Sequence, residues 1–171
     1  MTADHQIQNK VLSSGLVVFN LEEELPAYQL DFLDLAQYLE NGFVLREKMF
    51  RETLKTTDWT TYKDKHIAIH CSADAIVPTW AYMLIATYLQ PIAATVLMGT
   101  KESLETAVIQ QLLAKIDWSI YQDAKVVVKG CSKRILPPFV YVEVTNHLRP
   151  IAQSIMFGEP CSTVPLYKKP R

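Results

Sequence analysis

All three cysteines of this chain stand in the dipeptide Cys-Ser: Cys71-Ser72, Cys131-Ser132 and Cys161-Ser162. The thiolate is the form of cysteine that ligates a metal or attacks an electrophile, and a nearby helix N-terminus favours it because the dipole stabilises the anion. Three thiolates can hold three corners of a zinc site or of an iron–sulfur cluster. Cys71, Cys131 and Cys161 are therefore candidate metal ligands, with His70 or Asp74 as a fourth. The spacing contains no Cys-x-x-Cys pair, so two other readings stand beside this one. In a thiol enzyme, Cys71 or Cys131 would attack, His70 would take the proton and a helix N-terminus would hold the oxyanion. In a structural or interaction module, the cysteines would be small buried hydrophobes.

The neighbours of the cysteines extend these readings. Ser72 and Ser132, together with Asp74, are candidate cofactor contacts, and the two serines are equally suited to capping helices. Ser162 precedes Thr163-Val164-Pro165, which reads as an irregular loop. His66 and His70 share one face of a strand, since alternate residues point the same way. The loop after Cys71 carries Asp74, whereas the loop after Cys131 carries Lys133 and Arg134. Nucleotide-binding glycine loops, nucleophile elbows and His-Glu-x-x-His motifs are missing from the sequence, and only five glycines are present.

These residues are placed by an internal repeat. Residues 58–99 align with 117–158: Asp58-Trp59 with Asp117-Trp118, Cys71-Ser72 with Cys131-Ser132, Pro78 with Pro137, Tyr82 with Tyr141, and Gly99 with Gly158. Each copy begins with a β-rich run, His66–His70 or Lys125–Lys129, of the kind that suits a buried parallel strand. Cys-Ser follows, then a proline where a helix opens and its missing N–H costs nothing. Helices are expected over 78–89 and 137–148, each ended by a proline, and second strands over 94–98 and 154–157. A helix over 102–116, capped by Thr100, joins the copies. The first 57 residues predict strands at 15–20 and 43–45, a turn at 22–26, a short helix or strand at 32–39 and a helix at 47–56. The expectation is an α/β fold: a mainly parallel sheet from two duplicated βαβ units with a connecting helix, plus an N-terminal α+β extension. The 171 residues are read as a single domain ending in a tail at 159–171. If the strands are all parallel, the thiols lie at one sheet edge, where α/β folds bind ligands.

Bulk properties narrow the function. With 17 basic and 18 acidic residues, the net charge of −1 gives no field to attract nucleic acid or an anionic membrane. The most apolar stretch, Ile76 to Leu89, is too short to span a bilayer. A cytoplasmic location with reduced thiols is expected. An open sheet edge would allow pairing into a homo-oligomer.

At the same residues the chain resembles a bacterial family catalogued as domain of unknown function 2480. The resemblance is carried by Leu45-Arg46-Glu47-Lys48, Cys71-Ser72-Ala73-Asp74-Ala75, Pro78-Thr79-Trp80-Ala81-Tyr82-Met83, Gly130-Cys131-Ser132 and the run from Met156 to Tyr167. It covers nearly the whole chain and implies no activity. It implies gene neighbours in iron–sulfur assembly, and so iron–sulfur assembly proteins as partners and cluster or metal holding as the role.

Overall fold

A computed structural model describes residues 15–130 and 134–170. In chain order it contains β1 (Leu16–Asn20), α1 (Leu21–Glu24), β2 (Leu30–Asp34), β3 (Leu39–Glu40), β4 (Val44–Leu45), α2 (Glu47–Thr56), β5 (His66–His70), α3 (Thr79–Leu89), β6 (Thr95–Met98), α4 (Lys101–Leu113), β7 (Lys125–Lys129), α5 (Phe139–Leu148), β8 (Ser154–Glu159) and β9 (Ser162–Lys168). The chain divides into two compact units. Unit one is Met1–Pro26 with Leu112–Arg171, and unit two is Ala27–Gln111. In sequence, unit two is inserted into unit one.

The α/β class and the parallel pairing follow the expectation, but the strands divide between two main sheets. Unit two holds β2-β5-β6, all parallel, and unit one holds β1-β7-β8-β9, of which the first three are parallel. Each repeat copy forms a separate sheet because the N-terminal segment supplies a partner strand to each. β2 lies beside β5 with Asp34 level with His70, and β1 lies beside β7 with Asn20 level with Lys129. Both partner strands end the same way. The Asn20 side chain accepts from the Glu22 N–H at 3.1 Å, and that of Asp34 accepts from the Ala36 N–H at 2.9 Å. The chain then turns helical after each, so that Leu21–Glu24 forms a short helix where a turn was expected at 22–26.

The duplication is carried by repeated local chemistry. Asp58 and Asp117 each cap a 3₁₀ turn, accepting from the N–H of Thr60 or Ser119 at 3.0 Å. Trp59 Nε1 donates to the Leu54 carbonyl at 2.9 Å, and Trp118 Nε1 donates to that of Leu113 at 3.1 Å. Each indole thus satisfies a carbonyl at the end of the preceding helix that has no partner within it. Asp64 and Asp123 both adopt positive φ, at 59° and 53°, a conformation that Asp tolerates better than most residues.

In unit two, one sheet face carries Leu33, Ile67 and Ile69, which pack with Phe50 and Leu54 of α2 and with Ala81, Ile85 and Leu89 of α3. Burying each large aliphatic side chain contributes about 1.5–3 kcal/mol. The neighbouring segments of α4 are fastened by Tyr28 Oη donating to Glu105 at 2.9 Å and Thr95 Oγ1 to Gln111 at 2.9 Å. In unit one, Val126, Val127, Val128, Val140, Val144 and Ile155 are buried. Phe19 stacks on Trp118 with ring centroids 5.2 Å apart, and Trp118 stacks on His147 at 4.4 Å.

The segment Ser162–Lys168, read above as an irregular loop with a tail, is a strand. It pairs antiparallel with β8, with Phe157 level with Val164 and Ser154 level with Lys168. Pro165 is tolerated because β9 is an edge strand. No helix among the described residues is long and apolar enough to cross a membrane.

Candidate functional site

Parallel sheets bind ligands beyond the carboxyl ends of their strands, where successive loops part. In unit two, that edge opens into a cavity of about 770 Å³ lined by Phe32, Ile69, His70, Cys71, Tyr82, Met98, Gly99, Thr100 and Lys101. The volume falls within the range of roughly 300–1,000 Å³ typical of small-molecule sites. Most of the lining surface is apolar.

Each wall follows from the fold. β5 delivers His70 and Cys71 because the strand ends there. Phe32 of β2 is level with Ala68, so it shares a sheet face with His70, and the two rings meet edge-on at 6.1 Å. The Cys71 thiol is half-buried and donates to the Ala73 carbonyl at 3.7 Å, within the loop that leads to α3. Tyr82 comes from the first turn of α3. Burial raises its phenol above the ordinary value, and the neighbouring Cys71 and Asp34 add to the shift, so it stays a proton donor at neutral pH.

The opposite wall is the junction of β6 and α4. A Cβ on Gly99 would collide with Ser103 Oγ and lie 3.3 Å from Leu97 Cδ1, so glycine lets the chain turn tightly into the helix. Thr100 caps α4 as expected, receiving the Ser103 N–H at 3.3 Å on its hydroxyl and the Leu104 N–H at 3.0 Å on its carbonyl. Glu102 is held below the usual carboxylate range, first by its own backbone N–H and then by the Thr100 hydroxyl. The helix N-terminus is thereby served from within, and Lys101 is the cation of the cavity wall.

Asp34 holds the Cys-Ser turn against the sheet. Its carboxylate accepts from Ser72 N at 3.0 Å, from Ser72 Oγ at 2.5 Å and from Ala36 N at 2.9 Å. Partial burial raises its pKa, but the hydrogen bonds from Ser72 and Ala36 and the nearby His70 outweigh this and leave it below 3.8. Asp34 therefore stabilises the fold fully above 3.8, and the contribution is lost as pH falls through that value and then through the folded pKa. Asp34→Ala should cost about 1–2 kcal/mol at neutral pH. Denaturation curves of parent and variant should converge in acid, and an equal gap at every pH would refute this role.

The sequence-derived candidates separate as follows. Cys71 and His70 join the cavity. Ser72 bonds to Asp34, and Asp74 is exposed in the loop. Cys161 belongs to unit one, exposed in the turn between β8 and β9. Cys131, Ser132 and Lys133 lie outside the described residues. Among the described residues, no group of three or more His, Cys, Asp or Glu side chains is placed to hold a metal ion. His66 and His70 share a strand face as read, with His66 against the edge of the Tyr28 ring at 6.3 Å. Sequence reasoning missed Phe32, Asp34, Met98 and Lys101. The acidic end of the run Leu30–Asp34 was the one signal for Asp34, and the others become visible only through strand register.

A family model described as "Protein of unknown function (DUF2480)" matches residues 5–169. Nothing matches among curated proteins or among solved structures.

Proposed function

We propose, from the premise that this chain belongs to the DUF2480 family, that unit two binds a small, largely apolar molecule bearing one anionic group. The observation that carries this is the cavity of about 770 Å³ at the carboxyl edge of β2, β5 and β6. Phe32 and Met98 offer the ligand's body an apolar surface, and Lys101 pairs with its charge. Tyr82 adds a neutral hydroxyl donor. The Cys71 thiol, with His70 beside it, gives the same cavity a nucleophile for an electrophilic ligand. This juxtaposition favours thiol chemistry as a second reading within one site.

The probe is 1-anilinonaphthalene-8-sulfonate, an apolar aromatic body with one fixed anion, titrated against the full chain and followed by fluorescence. One saturable equivalent is expected. Lys101→Glu should weaken it at least tenfold, since like charge replaces opposite charge in a largely apolar wall. Binding of several equivalents, unchanged by Lys101→Glu, would sink the proposal. So would stoichiometric iron or zinc in the purified chain that Cys71→Ser removes, because the thiol would then be a metal ligand.

A further inference from the structure

Unit one carries a second cavity, at the opposite sheet edge, where its parallel strands begin. Its volume is about 850 Å³. One row of residues runs across the sheet beneath it. Leu16 of β1 is level with Lys125 of β7, Lys125 with Ser154 of β8, and Ser154 with Lys168 of β9, and all four line the cavity. Residues level with one another on adjacent strands present their side chains on the same face. Lys125 and Lys168 thus flank a serine hydroxyl from two strands apart, about 10 Å between backbones at normal strand spacing.

Two like charges facing one space repel unless an anion lies between them. Lys169 also lines the cavity, but it is tied to Asp123 at 3.1 Å. Lys125 and Lys168 have no ion-pair partner among the described residues. Gln153, Met156, Pro165, Tyr167, Pro170 and Asp123, whose carboxylate is paired with Lys169, complete the wall. The Arg149 guanidinium lies 3.7 Å from the centre of the Tyr167 ring, which braces the ring and adds positive charge behind it. Among the described residues the sheet of unit two ends at β6, whereas unit one adds β9 beyond the equivalent β8. β9 and the residues after it supply Pro165, Tyr167, Lys168 and Lys169.

We propose that this cavity binds the dianionic phosphoryl group of a phosphate monoester with an apolar body, held between Lys125 and Lys168 over Ser154. The site is independent of the cavity in unit two. Isothermal titration of the full chain with 4-nitrophenyl phosphate should show one saturable equivalent. Inorganic phosphate should bind at least tenfold more weakly, since it lacks the body that meets Met156, Pro165 and Tyr167. Lys125→Gln and Lys168→Gln should each weaken aryl phosphate binding about tenfold. Lys101→Glu should leave it unchanged, which separates this result from that of unit two. Amide chemical-shift changes on the parent chain should centre on Lys125, Ser154 and Lys168. Absence of saturable binding would overturn the proposal, as would equal affinity in the double lysine variant or shift changes centred elsewhere.

Discussion

Phe50→Ala should remove about 3–5 kcal/mol of stability, the usual cost of deleting a core aromatic ring. Phe50 is 2% exposed and meets the Tyr38 ring at 5.1 Å and the Trp80 ring at 6.0 Å, both edge-on. Alanine would leave a void among Leu33, Leu54, Ile69 and Ile85, side chains anchored on a sheet and two helices that cannot all collapse inward. Net stabilities are about 5–15 kcal/mol, so the loss would be a large fraction of the whole. Urea denaturation followed by tryptophan emission checks it, because Trp59 and Trp80 lie in unit two and Trp118 in unit one. A shift of the midpoint below that equivalent to about 1 kcal/mol would mean that the ring is not a core element. The same core underlies Ile69, which reaches the cavity, so naphthalene sulfonate binding should weaken as the variant approaches its unfolding transition.

Gly158→Ala should be the most damaging small substitution in unit one. Gly158 has φ +125°, and a Cβ there would lie 2.6 Å from the Ser162 carbonyl oxygen. That oxygen belongs to backbone at the mouth of the β8–β9 hairpin, so it cannot swing aside as a side-chain tip would. Backbone strain of this kind costs about 1–3 kcal/mol where the surroundings hold it, and otherwise the hairpin opens. Opening would withdraw Lys168 from its place beside Ser154. Faster hydrogen exchange of the β9 amides, a lower melting temperature and weaker aryl phosphate binding should therefore appear together. A Gly158→Ala variant that melts with the parent and exchanges as slowly would contradict this account of the hairpin.

Much of this architecture was legible in the sequence. Alternation and apolar runs marked β5 and β7 to the residue, and the prolines at 78 and 137 marked where the helices open. The repeat was visible because matching side chains make matching local contacts: the aspartate caps, the indole bonds to helix ends and the positive-φ aspartates all act within a few residues of themselves. Such short-range chemistry leaves a trace at fixed spacing.

Strand partnership leaves no such trace. A parallel strand pairs with a segment whose distance along the chain is not written in either one, and the backbone hydrogen bonds that join them are blind to side-chain identity. Local pattern therefore determined the elements, the duplication and the placing of Cys71 just beyond a strand end. Only tertiary structure decided that β1 and β2 part company to complete two different sheets. It also assigned Cys71 and Cys161 to different units and brought Asp34 to Ser72 across 38 residues. The same pairing turned Ser162–Lys168 into a strand and set Lys125, Ser154 and Lys168 in one row, because register, not proximity in sequence, chooses which side chains share a face.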